Sequence, residues 1–176
     1  MTPVTLLGID PGYDRIGWAV GTARGQAVQV VEYGCIETTK TRSLFERYRE
    51  LDLALAEIIA RLHPAEVALE SLFFFRNKTT ALTVSEARGV LISRCLQNNL
   101  GIFEYTPMQV KQSVTGSGRA DKNSVAKMVR LQGHIPPSTK LLDDTTDAIA
   151  VLLTHAASRG ISGITSGNNL LRLQKN

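Results

Sequence analysis

Between residues 4 and 38 the apolar positions come in short, nearly continuous runs broken by small polar groups. "VTLLGID" (4–10), "IGWAVGTA" (16–23) and "AVQVVEYGCIET" (27–38) each read as a strand. The connections "PGYDR" and "RGQ" have hairpin length, so the three strands are expected to be antiparallel neighbours. The period then changes. Leu44, Tyr48, Leu51, Leu55, Ile58 and Leu62 recur at steps of four and three, an amphipathic helix stripe. Ser43 and Glu46 have capping-box spacing at its start, and His63-Pro64 closes it.

Beyond it, strands and helices alternate. "EVALES" (66–71) is a strand ending on an acid, and a helix is predicted from about Thr79 to Asn98. "GIFEY" (101–105) is the fifth strand, and Pro107 opens a short helix. The loop "VTGSGRADK" (114–122) leads into a helix through "KNSVAKMVRL", and "LDDTTDAIAVLLTHAA" is the last helix. Three sequential strands followed by helix–strand alternation predict an α/β fold with one five-stranded mixed sheet, three strands antiparallel and then two parallel, and helices on both faces. Residues 1–158 are assigned to one domain, and the Gly/Ser/Asn-rich 159–176 to a mobile C-terminal tail.

Composition narrows the class. A chain of 176 residues with 43% hydrophobic content supports one domain with a real core. No apolar run approaches the roughly 20 residues needed to span a bilayer, and "MTPVTLLGID" lacks the features of a secretory leader. Cys35 and Cys95 stand alone in apolar segments and read as buried free thiols of a cytoplasmic protein. The net charge is +4. No acid follows Asp147, and Lys111, Arg119, Lys122, Lys127 and Arg130 face the single acid Asp121 between residues 111 and 130. A solvated helix face and a nucleic-acid patch explain that block equally well.

The chemistry lies in four acids at the ends of elements. Asp10 ends the first strand and Glu70 the fourth, where ligands gather in open α/β sheets. Asp144 and Asp147, three residues apart, share one face of the last helix's first turn. Taken singly, each has an ordinary explanation: turn chemistry at Asp10-Pro11-Gly12, a solvated strand end at Glu70, and dipole-satisfying acids at the helix start. Together, four converging carboxylates require a neutralising divalent cation, and Mg²⁺ suits an all-oxygen set.

In order and spacing, "GIDPG" (8–12), "ALESLFF" (68–74), "EARGV" (86–90), "QVKQSVTGSGRADK" (109–122) and "DDTTDAIA" (143–150) resemble the motifs of the RuvC Holliday-junction resolvases, within the RNase H-like nucleases. The resemblance runs from Leu6 to about His155. It implies an RNase H-like fold and a structure-specific endodeoxyribonuclease that resolves four-way DNA junctions by paired symmetric nicks, leaving 5′-phosphate and 3′-hydroxyl ends. It implies catalytic Asp10, Glu70, Asp144 and Asp147 holding two Mg²⁺ ions per site, with Mn²⁺ as a substitute. Asp143 is an alternative to Asp144, which the D-x-x-D step to Asp147 favours. Lys111 and Lys122 match basic positions near the scissile phosphate.

"LFFFRNK" (72–78) sets three aromatics beside three polar residues, so core packing cannot easily take them all. The resemblance singles out Phe73 as the aromatic that stacks on an unpaired base at the junction centre. Phe74, Arg76, Lys78 and Arg119, with Lys111 and Lys122, complete the expected DNA contacts. The "TGSG" loop offers backbone amides to phosphate. Two symmetric cuts ask for a homodimer. Leu82, Gly89, Leu91, Ile92, Cys95 and Leu96 mark its candidate helix, although core packing explains them as well. By family analogy the partners include RuvA and RuvB.

Three rivals remain. An actin-like ATPase needs two related domains and hydroxyl residues where Pro11, Gly12 and Tyr13 stand. A YqgF-type nuclease acting on RNA would share Asp10 and should lack the full Lys111-to-Lys122 block. A non-catalytic junction binder would gain nothing from acids near phosphate.

Overall fold

The computed structural model describes residues 2–25, 27–71 and 78–162. Strands β1 (Val4–Asp10), β2 (Arg15–Arg24) and β3 (Ala27–Glu37) lead into helix α1 (Leu44–Leu62). They are followed by β4 (Glu66–Glu70), α2 (Lys78–Gln97), β5 (Gly101–Tyr105), α3 (Pro107–Thr115), α4 (Lys122–Gln132) and α5 (Asp143–Ser162). The sheet order is β3-β2-β1-β4-β5. The β3-β2-β1 pairings are antiparallel, while β1 with β4 and β4 with β5 are parallel, as the sequence pattern predicts.

The capping box expected at α1 forms: Glu46 N–H donates to Ser43 Oγ, and the Ser43 amide donates to the Glu46 carboxylate. His63 ends that helix in the left-handed region at φ 46°. The last helix outruns its expected boundary. α5 continues through Ser162, so a tail beginning at 159 starts too early. The reason is tertiary: the Arg159 Nε donates to Glu66 Oε2 at 2.6 Å.

The two sheet faces differ in character. One carries Leu7, Ile9, Ile16, Trp18, Val20, Val67 and Leu69, packed against α1 and α2. The other face carries Gly8, Gly17, Ala19, Gly21, Ala23 and Ala68, and α5 lies on it through Ala148, Ile149 and Leu152. A seam of such small residues lets a helix axis come close to the strands. A Cβ on Gly17 would fall 1.8 Å from the Asp144 carbonyl oxygen, and one on Gly8 2.5 Å from that of Ala148. The start of α5 is therefore seated directly on the β1–β2 pair.

Farther along, α5 is tied to β4 by a buried polar chain. His155, 1% exposed, has Nε2 2.9 Å from Glu66 Oε2 and Nδ1 2.8 Å from the Tyr105 hydroxyl. Because a carboxylate only accepts, Nε2 donates to Glu66. Burial pushes the Glu66 carboxyl upward, but the hydrogen bonds from His155 and Arg159 outweigh it and hold it at about 2. Cys35, half-buried, and Cys95, buried, are both free thiols.

Gly17→Ala is expected to destabilise the fold by about 1–3 kcal/mol, because backbone must move to admit the methyl. Urea unfolding measures it, and an unchanged midpoint would show that α5 does not rest on this glycine.

Candidate active site

Ile9 pairs with Leu69 in parallel register, and Asp10 and Glu70 are the next residues on each strand. Adjacent strands lie about 4.8 Å apart, so the two carboxylates leave the sheet side by side on the face that α5 covers. Asp10 is also the cross-strand partner of Gly17, the residue on which the Asp144 backbone rests. The missing side chain at Gly17 thus delivers the first turn of α5 to the strand tips.

The convergence is visible in the charges. Burial pushes the Asp10 carboxyl up to about 8, reinforced by the negative charges of Asp147, Glu70 and Asp144 and opposed by Lys122. Burial lifts Glu70 to about 7, with Asp147 adding to it and Lys111 opposing. Asp147 is raised as well, by burial first, against the pull of Lys122 and Lys111. Asp10 sits at the centre, since all three other acids act on it. Among the described residues no three acids close into a finished metal cage. They ring a cleft.

Asp143 and Asp144 point in different directions. The Asp143 side chain is 81% exposed and 3.7 Å from Lys122 Nζ. Asp144 is 24% exposed, with Oδ2 3.1 Å from Arg15 Nε. That contact is an ion pair without hydrogen-bond alignment, and Oδ2 is left buried without a hydrogen bond. A buried, unsatisfied carboxylate oxygen next to desolvated, mutually repelling acids fits a hard divalent cation.

Two groups here escaped the sequence reading. Arg15 is one. The other is Arg47, 9% exposed, whose Nε donates to Thr38 Oγ1 at 3.0 Å and whose Nη2 donates to the Tyr13 carbonyl at 3.1 Å. Arg47 also pairs with Asp14, and its guanidinium lies 5.0 Å from the Tyr13 ring centre. It locks the loop that follows Asp10. The available signal was its position one helical turn before Leu51 on the buried side of α1.

Among the basic residues, Lys111 on α3 is half-buried, while Lys122 and Arg119 are exposed. The loop amides expected to face phosphate are already engaged. Ser117 N–H donates to Thr115 Oγ1 and Gly118 N–H to Gln112 Oε1, because a short loop between two helices uses its own polar side chains. Phe73, Phe74, Phe75 and Arg76 lie outside the described residues, as does the side chain of Lys78.

The model of the family described as crossover junction endodeoxyribonuclease RuvC matches residues 6–155. The crossover junction endodeoxyribonuclease RuvC of Caldicellulosiruptor saccharolyticus is 46% identical over 154 residues, which cover 87% of this chain and 92% of that protein. The structure of Thermus thermophilus RuvC superposes with a TM-score of 0.79 at 30% identity, covering 88% of this chain and 94% of the other. T. thermophilus RuvC in complex with Holliday junction substrate gives 0.84 at 29% identity, covering 90% and 96%.

The raised carboxyls have a consequence for stability. Asp10 and Glu70 take up protons in the folded state that the unfolded chain has already lost, so metal-free stability is greatest below about pH 4 to 5 as far as these groups are concerned. It declines as pH rises through about 7 for Glu70 and about 8 for Asp10. In EDTA, melting should fall on the order of 5 °C from pH 5.5 to 8.5, and Mn²⁺ or Mg²⁺ should restore most of it at the upper end. Scanning calorimetry with Asp10→Asn as the comparison checks this: the substitution should flatten the decline.

Proposed function

The chain belongs to the RuvC family of crossover junction endodeoxyribonucleases, and from that premise we propose that Asp10, Glu70, Asp144 and Asp147 are the centre with which it resolves Holliday junctions. The observation that carries this reading is the burial together of Asp10, Glu70 and Asp147, carboxyls drawn from two strand tips and a helix start and all raised first by desolvation, with Asp147 adding its charge to the other two. Burying like charges is costly, and a fold keeps such an arrangement where a cation uses it.

Two Mg²⁺ ions, with Mn²⁺ as a substitute, would be held by these four acids and would supply an activated water together with charge neutralisation at the leaving 3′ oxygen. Asp10, coupled to the other three, is the central ligand. Glu70 and Asp147 approach from one side and Asp144 from the β2 side. Asp143, turned to solvent beside Lys122, is left as a surface acid. Lys111 and Lys122, which act on Glu70, Asp10 and Asp147, bind the nonbridging oxygens of the scissile phosphate and stabilise the charge that builds on them. Phe73 stacks on an unpaired base at the crossover, a contact indifferent to sequence and contributing about 1–3 kcal/mol. Phe74, Arg76, Lys78 and Arg119 extend the DNA path.

The active assembly is a homodimer joined through α2. Its Ala87, Leu91 and Cys95 are buried in the core, whereas Leu82 is 74% and Leu96 51% exposed. Gly89 lies midway between them at seven-residue steps, with open space where its Cβ would be. Beside it a groove of about 480 Å³ between α1 and α2 is lined by Phe45, Tyr48 and Val90, an apolar seat for a second copy. RuvA and RuvB are its branch-migration partners by analogy with the family. Cytoplasmic residence accords with free thiols and with a helix set in which, among the described residues, none is long and apolar enough to cross a membrane.

Synthetic four-way junctions test the centre. Symmetric nicks should appear with Mg²⁺, vanish in EDTA, and fall about 10³-fold or more in Asp10→Asn, while junction binding survives. Undiminished cutting by that variant would remove Asp10 from the chemistry. For the dimer, sedimentation of Gly89→Arg should give a monomer whose nicks on the two strands are no longer paired.

A further inference from the structure

We propose that Arg15 is an exchangeable counter-ion: it holds Asp144 while no metal does, and turns into the adjoining cleft to bind a phosphate of the DNA strand once a divalent cation takes that carboxylate. The proposal rests on the reading of Asp144 as a metal ligand. The contact has the character such an exchange needs. Arg15 Nε approaches Asp144 Oδ2 at 3.1 Å without hydrogen-bond alignment, so that oxygen keeps its lone pairs for another partner. The guanidinium is on the solvent side, its side chain 50% exposed against 24% for the acid. A half-exposed pair is weakly held and gives way to a better cation.

The cleft offers the released guanidinium a destination. It has a volume of about 590 Å³ and is lined by Gly12, Tyr13, Thr38, Lys40 and Val84 together with Arg15 and Asp144 themselves. Besides Asp144 itself, its acids are Asp14 and Glu37. Asp14 is engaged by Arg47 and stands 3.7 Å from Lys40, and Glu37 is the cross-strand partner of Arg15. Lys111 and Lys122 act on Glu70, Asp10 and Asp147, Lys40 and Arg47 pair with Asp14, and Arg15 is the cation paired with Asp144. The planar fork of arginine suits phosphate oxygens. Metal at Asp144 and phosphate in the cleft then favour one another, because each frees or uses the charge the other displaces.

Titration calorimetry with Mn²⁺ on the full chain, combined with junction binding in EDTA and in Ca²⁺ across a salt series, tests the exchange. Arg15→Gln should bind Mn²⁺ about two- to fivefold more tightly, and Arg15→Lys should return toward the parent value. Its junction affinity should match the parent in EDTA and fall in Ca²⁺, with the log–log salt slope shallower by about 1 per subunit. Asp144→Asn should weaken Mn²⁺ binding. Unchanged Mn²⁺ affinity in Arg15→Gln alongside that weakening overturns the exchange and leaves the metal reading standing. Equal loss of junction affinity in EDTA and Ca²⁺ also overturns it, since Arg15 would then hold phosphate without being released. Parent-like Mn²⁺ binding by Asp144→Asn overturns the metal reading, and the exchange with it.

Discussion

The site exists because α5 rests on a strip of sheet almost without side chains. Gly8, Gly17, Ala19, Gly21, Ala23 and Ala68 leave the helix nothing to stand off from, and its backbone oxygens come within a methyl's reach of the strands. Packing of that kind is discrete: a single added carbon cannot be absorbed by rotating a side chain when the opposing atom belongs to the backbone. The helix is fixed again farther along, where His155 and Arg159 both engage Glu66. Two anchors on opposite sides of Asp147 set both the height and the direction of α5. The acids at its start therefore have no freedom to separate from Asp10 and Glu70 by moving the helix.

That rigidity explains why the carboxyls respond by holding protons rather than by moving apart. Without α5 seated on Gly17, burial around Asp10 would relax and its repulsion with Asp147 and Asp144 would fade. The energy stored in the cluster comes from the apolar packing of α5, which contributes more buried residues to one core layer than any other element, Ile149, Val151, Leu152 and Ala156 among them. A cation bound among these acids would recover that energy, so folding and metal affinity would share one source. The surrounding cations are arranged unevenly, with lysines on the α3–α4 side and an arginine on the β2 side. The lysines act on Asp10, Glu70 and Asp147 through their charge, whereas Arg15 pairs directly with Asp144.

Much of this was written in local patterns, and what was missed is instructive. The ends of β1 and β5 and the start of α3 fall where the sequence places them, because these are punctuated: Asp10 before Pro-Gly, and Thr106 capping a helix with Pro107 at its first position. The four acids were legible for a related reason, since the end of an element is a local feature while the convergence of those ends follows from a short list of topologies. The end of α5 was not legible. After Ala157 the composition turns to Ser and Gly, yet the helix persists because Arg159 finds Glu66, 93 positions away in the chain. Arg47 was hidden likewise: an arginine in an amphipathic stripe reads as surface until Tyr13, Asp14 and Thr38 close around it. Gly8 and Gly17 carried a usable signal, since glycine inside a strand marks close backbone approach.

The two faces of the sheet divide the work between chemistry and assembly. The glycine-lined face carries every acid of the centre, and its thinness is what brings α5 to the strand tips. The opposite face holds the bulky side chains Leu7, Ile9, Trp18 and Leu69, on which α1 and α2 ride. A helix held away from the sheet by large side chains keeps an outer side in solvent, as α2 does with Leu82 and Leu96. Exchanging the two faces would remove both properties at once: bulky residues would lift α5 off Asp10, and glycines would draw α2 inward. The alternation of large and small residues along β2, joined by Gly8 between Leu7 and Ile9 on β1, thus decides which helix comes close to the strand tips and which is held away.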